Sequence, residues 1–540
     1  MNSLRRFLIR AAPLAAAVTL AAAAPAERVF FAFDDHSIPW HDNLQFTLVP
    51  ATKHPANPVL RAGPPGAPDH GHAILYGTVL HDGAKFRMWY LGMPDTSFEA
   101  WRQSRWRPMC YAESDDGVVW RKPELGLVEV NGSRRNNACL VESPDFFLTR
   151  VDDFISVLHD PADPDPQRRF KCAFIAHIPS DKAKGGLRDL GDGKGVFTAN
   201  EEGRVGVKQK AAAAPRIAMM VTATSADGLR WRVVGDRPAV DEKLEVSGLW
   251  RFGDFYYAAG QQITPWTWRA DGTEVGRAAV VYRSADFVTW SPAKARSFIR
   301  AGQHAATPLP GQQTHMGAGV WDRGNVLVGL HGLWQDGPKE KPKGAPNLLG
   351  TTVDLGLVVS NDGIRFREPV PDFKVISRGR PGEWDDTALL QGHAFANRGD
   401  ETLIWYSHWD TGGQLRNMHI GLATLRRDGF GHLARRNRRA PGHFVTAAAP
   451  LPGGVPALAV NVDGATAAAP LTLELLDARD RPVPGFSGAD AARITTSGTR
   501  VAVTWPRPGR LAAGTACSIK ATLPAAGDVR VYALYLPPAP

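Results

Sequence analysis

Short stretches in which apolar and polar residues alternate run through most of the chain, and turn residues separate one stretch from the next. Alternation with a period of two is typical of β-strands that have one buried face, whereas an amphipathic helix repeats about every 3.6 residues. Long helical patterns are scarce, and Asp-Gly or Gly-rich turns between the stretches predict hairpins. The pattern therefore predicts an all-β fold.

One element of the form Ser-x-Asp-Gly-x-x-Trp recurs along the chain. Its copies are residues 114–120 (SDDGVVW), 225–231 (SADGLRW), 284–290 (SADFVTW) and 360–366 (SNDGIRF), with a degenerate fifth copy at 426–432 (RRDGFGH). Each copy follows an apolar stretch. It therefore predicts a strand, a tight Asp-Gly turn and a return strand that opens with an aromatic residue.

A second element precedes each copy and consists of an inner strand, a polar turn and a second apolar strand. It occupies residues 73–91, 153–176, 245–260, 315–332 and 390–408. The two elements together give about four strands per repeat, and five such repeats predict a five-bladed β-propeller with its blades around a central channel. The alternative is a β-sandwich in which the Asp-Gly turns recur by coincidence.

The two ends of the chain differ from the repeats. Residues 1–26 combine a basic start, an Ala-rich apolar stretch and an A-x-A-like step, which predict a secretory signal peptide and a periplasmic or secreted protein. We expect the propeller domain at 27–440, an Ala-, Pro- and Gly-rich linker at 441–456 and a small β-sandwich at 457–540. Residues 28–35 predict one more strand, which either closes the ring or packs across it.

The charge and the cysteines narrow the range of partners. The formal net charge is +9, and the excess is spread along the chain, so no dense basic face for nucleic acid is expected. No run after the leader is long and apolar enough to span a bilayer, so we expect no membrane contact once the leader is removed. The four cysteines show no CxxC or CxxH spacing, which argues against a structural zinc site and leaves one disulfide possible. We expect a monomer.

Acidic residues lie at the heads of two predicted inner strands. Glu245 lies eight residues before the hairpin glycine Gly253, and Asp153, preceded by Asp152, lies seven residues before Asp160. The heads of the inner strands line the mouth of a propeller channel, where a carboxylate stays close to water. Paired carboxylates in a pocket are the groups that cleavage of a glycosidic bond requires. The alternative is that each acid caps backbone amides at its strand end.

The motif Glu-x-x-x-Leu-Trp-x-x-Gly-x-Phe-Tyr-Tyr, which begins at Glu245, resembles the third-blade motif of glycoside hydrolase family 43. The stretch DDFISVLHD resembles the second-blade strand of that family, and S-x-D-x-x-x-W is shared by families 32 and 43. The resemblance covers residues 57–433. It implies that Glu245 is the general acid and that Asp153 is the modulator that positions this acid and tunes its pKa.

The stretches HPANPVLR and YAESDDGVVWRKPELGLVEVNGSRRNN also resemble bacterial secreted proteins described as glycosyl hydrolase-like five-bladed propellers. The stretch LTLELLDARDRPVPGFSGAD resembles their C-terminal β-sandwich. The first blade departs from the family 43 pattern, because the position eight residues before Gly83, where that family has its base or nucleophile Asp, holds Leu75. The nearest acid upstream is Asp69, which we take as the provisional base.

Other side chains near the predicted mouth are candidates for contact with substrate. They are Asp152, His72, Trp250, His315, Asp386 and His393. An indole ring offers an apolar face to a sugar ring, whereas each histidine has the alternative of a ring that is hydrogen-bonded to backbone. No cofactor is required, and a structural cation in the channel is compatible with the resemblance.

These observations favour an exported glycoside hydrolase that acts on an oligosaccharide or polysaccharide. One alternative is a carbohydrate-binding propeller without hydrolysis, which the missing first-blade acid favours. The other is a glycoside phosphorylase or transferase, which requires a basic pocket for phosphate beside Glu245. The sequence contains no G-x-S-x-G elbow and no H-E-x-x-H motif.

Overall fold

A computed structural model describes residues 27–94, 107–142, 151–179, 216–235, 238–240, 244–262, 277–300, 311–345, 348–412 and 418–536. Regular structure in these ranges is β, apart from short 3-10 turns at Pro166–Arg168 and Gly488–Asp490, so the all-β class is confirmed. No helix in the same ranges has the length and apolar character needed to cross a bilayer. The predicted leader, residues 1–26, lies outside the described residues.

The strands are numbered in chain order. Those of the first half are β1 (Arg28–Phe31), β2 (Trp40–Asp42), β3 (Leu44–Leu48), β4 (Thr52–Lys53), β5 (His72–His81), β6 (Phe86–Met93), β7 (Met109–Ser114), β8 (Leu140–Glu142), β9 (Val151–His159), β10 (Phe170–Pro179), β11 (Arg216–Ser225), β12 (Arg230–Val233), β13 (Glu245–Phe252), β14 (Phe255–Gln262), β15 (Ala278–Ser284) and β16 (Ser291–Phe298).

The second half contributes as many strands again. They are β17 (Gln312–Asp322), β18 (Leu327–Gln335), β19 (Thr352–Ser360), β20 (Lys374–Ile376), β21 (Ala388–Arg398), β22 (Glu401–Trp409), β23 (Ile420–Arg426), β24 (Gly431–Arg435), β25 (Gly442–Val445), β26 (Ala449–Pro450), β27 (Ala459–Asp463), β28 (Leu471–Leu476), β29 (Ala492–Ile494), β30 (Gly498–Ala502), β31 (Ala516–Leu523) and β32 (Arg530–Leu536).

Successive antiparallel units fill the chain from β5 to β23. They are β5–β6–β7, β9–β10–β11–β12, β13–β14–β15–β16, β17–β18–β19–β20 and β21–β22–β23, and we call them the first to fifth units. The short strand β4 pairs with β23, so the fifth unit takes its outermost strand from near the start of the chain. The inner strands β5, β9, β13, β17 and β21 contact one another in that order, and β21 returns to β5. This topology fits a propeller.

The recurring Ser-x-Asp-Gly element forms a turn that is held by its own side chains. In the first copy, the Ser114 hydroxyl accepts the backbone N–H of Gly117 at 2.8 Å. Oδ1 of Asp116 accepts the backbone N–H groups of Val118 and Val119, each at 2.8 Å. Gly117 has a φ of +75°, a left-handed conformation that glycine adopts without strain. The motif therefore specifies the turn locally.

Tryptophan side chains tie these turns to the neighbouring units. Indole N–H groups donate to the carbonyl of the turn glycine across the unit boundary. The pairs are Trp89 to Gly228 at 2.6 Å, Trp250 to Gly363 at 3.2 Å and Trp405 to Gly117 at 2.9 Å. All three indoles are nearly fully buried, because each fills the space between two sheets. The repeated turn therefore serves as the docking point of the adjacent unit.

The remaining strands form two sheets at the other end of the chain. One has the order β3-β24-β32-β27-β30 with β1 on β32, and the other has the order β2-β25-β31-β28-β29 with β26 on β31. Apolar side chains from both sheets meet in one core cluster, which includes Phe444, Leu473, Ile519 and Val531. Strands from the N-terminal segment and from the predicted linker thus pair with strands of the predicted C-terminal module.

Candidate functional site

Every inner strand carries a β-bulge in its first half or near its middle. In β5, β9, β17 and β21 three residues lie opposite one residue of the second strand, and in β13 one residue is extra. The bulged residues are 75–77, 152–154, 247, 316–318 and 392–394. A bulge re-aims side chains and bends its strand, so these segments determine what faces the axis.

Glycines at the bulges allow the inner strands to approach closely. A Cβ on Gly392 would lie 2.6 Å from the carbonyl oxygen of Gly77, and a Cβ on Gly319 would lie 2.2 Å from that of Gly392. Both distances are shorter than any van der Waals contact, so only glycine fits. The backbones of the fourth, fifth and first inner strands therefore touch at this level.

His393 completes the closure at the same level. With Nδ1 protonated, its ring donates to the Val320 carbonyl at 3.0 Å, and Nε2 accepts the Leu249 N–H at 3.1 Å. Burial lowers the pKa of His393 to about 4, so the ring is neutral at physiological pH. His393 thus joins three inner strands. We use the name axial cup for the region of the axis between His393 and the first residues of the five inner strands.

Glu245 begins β13 at the rim of the axial cup. Its side chain is half-buried, and it accepts a hydrogen bond from the Gln261 amide, which lies opposite on β14. Gly260 allows this pairing, because a Cβ there would lie 2.2 Å from the Glu245 carbonyl oxygen. Glu245 is therefore an accessible carboxylate with a fixed orientation. Gln261 had no recognisable signal in the sequence, because only strand pairing brings it to the acid.

The backbone places Asp152 and Asp153 in the bulge of β9, which corresponds to the bulges of the other inner strands. Glu245 lies two residues before the bulged Ser247 of β13. The two segments thus lie at nearly the same depth in neighbouring units. The side chains of Asp152 and Asp153 lie outside the described part of the structure.

Asp69 is fully buried just before β5. Its Oδ2 accepts the Tyr90 hydroxyl at 2.7 Å and forms an ion pair with Lys122. Oδ1 points at Gly63, where a Cβ would lie 2.5 Å away. Burial, with the Asp69 charge next in size, raises the pKa of Tyr90, so the phenol remains a donor. These contacts are those of a loop-holding carboxylate. Leu75, in the expected acid register, is buried in the bulge of β5.

The fifth unit repeats this arrangement at Asp385. Its Oδ2 accepts the Tyr406 hydroxyl at 2.9 Å and forms a 2.6 Å ion pair with Lys53. Oδ1 again faces a glycine, Gly379, where a Cβ would lie 2.4 Å away. The two loops share the pattern G-x-P-G-x-x-D at 63–69 and 379–385, a signal that the sequence does contain.

His72 lies at the head of β5 beside several cations. Its Nδ1 accepts the Met418 N–H at 3.1 Å, and burial, then His419 and Arg107, lower its pKa to about 4. Burial also lowers the pKa of His419 to about 4, and the charges of Arg61 and Lys122 add to this effect. Arg107 thus acts on His72, and Arg61 and Lys122 act on His419, while Lys122 is also paired with Asp69.

His315 belongs to an aromatic stack at the start of β17. Its ring lies parallel to Trp334 at 4.9 Å and to Trp409 at 5.7 Å, measured between ring centroids. Arg277 lies 4.7 Å from the Trp334 ring. Burial, then the charge of Arg277, holds the pKa of His315 well below its ordinary value. Trp334 and Arg277 were not predicted from the sequence.

The two remaining side chains that were predicted to contact substrate are Trp250 and Asp386. Trp250 is only 3% exposed and donates to Gly363, so its ring packs between the third and fourth units. Asp386 is half-buried, and its Oδ2 accepts the Gly382 N–H at 2.7 Å within the loop before β21. No group of three or more His, Cys, Asp or Glu side chains with metal-site geometry occurs among the described residues.

Comparison with known proteins gives likenesses of structure only. No family model matches the chain, and no curated protein matches its sequence. Solved structures that resemble it are similar over most of their own length but at low identity, and several of them are glycoside hydrolases.

Three of these structures illustrate the range of proteins among them. One is described in work on the GH130 family of mannoside phosphorylases and its hydrolases that target β-1,2 mannosidic linkages in Candida mannan (14% identity, TM-score 0.41, 70% of this chain and 94% of that one). Another is an N-acetylgalactosamine deacetylase from F. plautii (14% identity, TM-score 0.38, 71% of this chain and 95% of that one). The third is a GH32 β-fructofuranosidase from Bombyx mori in complex with sucrose (12% identity, TM-score 0.31, 90% of this chain and 96% of that one).

Proposed function

We propose that the chain is an exported five-bladed β-propeller glycoside hydrolase that cleaves an oligo- or polysaccharide in the axial cup, with Glu245 as general acid. The observation that carries this proposal is the position of Glu245. It is a half-buried carboxylate at the head of an inner strand, oriented by Gln261, within the motif that resembles the family 43 acid strand. A general acid must be held in position while remaining accessible to the leaving oxygen.

The partner carboxylate in this proposal is Asp153, with Asp152 beside it. The bulge of β9 carries both residues at nearly the depth of Glu245, and cleavage requires two carboxyl groups at the scissile bond. We assign Asp69 to the loop before β5, because Tyr90 and Lys122 engage one of its oxygens and Gly63 covers the other. His72, His315 and His393 are buried near the starts and bulges of the inner strands and complete the surroundings of the proposed site.

The domain division proposed here follows strand pairing. The propeller comprises 52–426, and a β-sandwich combines strands from 28–48 with strands from 431–536, because these segments share two sheets and one core. Residues 1–26 are the proposed export signal, which places the enzyme in the periplasm or outside the cell.

A glycoside phosphorylase is the second candidate. The observation that favours it is the position of Arg107 near His72 and of Arg61 near His419, beside Lys122, whose charge is paired with Asp69. Inorganic phosphate that attacks a sugar in place of water requires such positive charge. Phosphate-dependent release of a sugar 1-phosphate would identify this reaction.

The test is a substrate screen with the mature protein. Wild type, Glu245→Gln and the control Glu401→Gln are assayed on aryl glycosides and oligosaccharides, each with and without inorganic phosphate. Glu401 also begins a strand, β22, but lies at an exposed hairpin turn. We expect Glu245→Gln to lower kcat/KM by about 10²-fold or more, and Glu401→Gln to leave it unchanged. Full activity in Glu245→Gln, or no turnover by wild type, contradicts the proposal.

A further inference from the structure

The outer face of the second C-terminal sheet carries a row of polar side chains that crosses β2, β25, β31, β28 and β29. Paired residues in neighbouring strands point to the same side, and the alternate positions Phe444, Ala521 and Leu473 are buried in the core. The outward row consists of Asp42, His443, Thr522, Thr472 and Arg493. With about 4.8 Å between strands, the row is about 19 Å long, enough for a chain of several sugar rings.

Trp40 stands at the edge of this face, on β2. It is 49% exposed, and its ring centroid lies 4.9 Å from that of His443, a member of the row. Large aromatic side chains are seldom left this open to water, and they present an apolar surface to whatever binds. The exposed indole and the row of hydroxyl and imidazole groups therefore form one continuous surface.

A rigid basic loop borders the same edge. Arg436, Arg438 and Arg439 are exposed, and none of them forms an ion pair within the described ranges. Asn43, next to Asp42 in the row, holds this loop. Its amide donates to three carbonyls of residues 437–441 at 3.0–3.1 Å, and its Oδ1 accepts the Asn437 N–H at 2.8 Å. The backbone of the arginine-bearing loop is thus held against the end of β2, the strand that carries Trp40.

We propose that this face, formed by Trp40, the polar row and the loop 436–439, binds an anionic polysaccharide. The exposed arginines match carboxylate or sulfate groups, the hydroxyl and imidazole groups match sugar hydroxyls, and Trp40 matches the apolar face of one sugar ring. On the same face Lys520 and Glu474 form an ion pair of 3.3 Å, and the Asp42 carboxylate of the row offsets one positive charge. Arg493 and the three loop arginines therefore leave the face net positive. This site lies on the C-terminal sheets and is independent of the axial cup.

The test is affinity electrophoresis of the mature protein in gels that contain polygalacturonate, chondroitin sulfate or neutral dextran. We expect one of the anionic polymers to retard wild type, and dextran not to. Trp40→Ala should weaken binding about tenfold, as expected when about 50 Å² of apolar surface is no longer buried. Arg438→Ala/Arg439→Ala should weaken it by about five- to tenfold at low salt.

The matched control is Arg121→Ala/Arg365→Ala, which removes the same charge from turns of the propeller units, where these side chains are 60% and 70% exposed. It should bind as wild type does. The proposal is overturned if neither anionic polymer binds, or if the control loses as much affinity as the loop variant. It is also overturned if duplex DNA or anionic vesicles bind as tightly and Trp40→Ala has no effect, because the face would then be a general polyanion or membrane patch.

Discussion

Asp69 and Asp385 each keep a loop closed at the head of an inner strand, and each does so with a tyrosine and a lysine from the same unit. A buried carboxylate is tolerated because the paired charge and the phenol replace its water shell. The same contacts separate a structural acid from a catalytic one, since a catalytic carboxylate must remain open to substrate.

This distinction predicts the effect of Asp69→Asn. The variant keeps the volume but leaves Lys122, whose side chain is 26% exposed, without its counter-charge. We expect a loss of about 2 to 3 kcal/mol in the free energy of unfolding, measured by urea titration, and kcat/KM within about threefold of wild type. Asp385→Asn is the matched variant and should behave alike. Abolished activity with unchanged stability would make Asp69 the base after all.

For individual residues, the sequence predicted the position along a strand better than the contacts of the side chain. The positions of Glu245 and Asp153 near the heads of inner strands could be predicted, because strand position depends on nearby residues. Gln261 and Lys122 could not, because they meet their acids only through pairing across hairpins and loops. Trp250 shows the same limit. In the sequence, a tryptophan before a hairpin is equally compatible with the channel mouth and with the interface between two units.

The turn and the tryptophan that docks on it form the repeating element of the fold. Ser114, Asp116 and Gly117 close the turn, and Trp405 of the fifth unit donates to it. The first and fifth units are far apart in sequence, so this bond helps close the ring. Its repetition at Gly228 and Gly363 explains why the motif recurs along the chain.

We expect Trp405→Phe to lower the free energy of unfolding by about 1 to 3 kcal/mol, because it removes a buried hydrogen bond and part of a packed ring. Trp40→Phe is the control, since Trp40 is 49% exposed and should cost less than about 0.5 kcal/mol. Thermal or urea unfolding of both variants measures the difference. Equal losses would show that the docking bond does not stabilise the ring.

The alternating pattern was sufficient to predict strands and hairpins, but not which distant strands would pair. The segment 28–35 could not be assigned to the ring or elsewhere, and β1 in fact pairs with β32 near the end of the chain. The strand that pairs with β23 is β4, whose two residues are too few to form a pattern.

Asp428 connects the propeller units to the C-terminal sheets in the whole molecule. It is fully buried, it pairs with Arg323 of the fourth unit, and it accepts bonds from Asn397 of the fifth unit at 3.1 Å and from the Tyr535 hydroxyl of β32 at 2.8 Å. Burial alone would raise the pKa of Asp428, but Arg323 and these hydrogen bonds outweigh it and hold the pKa below its ordinary value.

A lowered folded-state pKa means that Asp428 contributes stability above the unfolded value of about 3.9 and loses that contribution as the pH falls through the folded value. We therefore expect Asp428→Asn to have a Tm below that of wild type near neutral pH, with the gap closing below about pH 4. Asp254→Asn, in the exposed turn after β13, should track wild type throughout. A gap that widens toward acid would contradict this role.

The central claim is that Glu245 protonates the leaving group, and a leaving-group series measures this most directly. On the sugar found by the screen, kcat/KM is compared for wild type and Glu245→Ala with aryl groups whose phenols have pKa values from about 4 to about 10. We predict a loss of about tenfold or less for the most acidic phenol and about 10³-fold or more for the least acidic. An equal loss across the series would show that Glu245 is not the general acid.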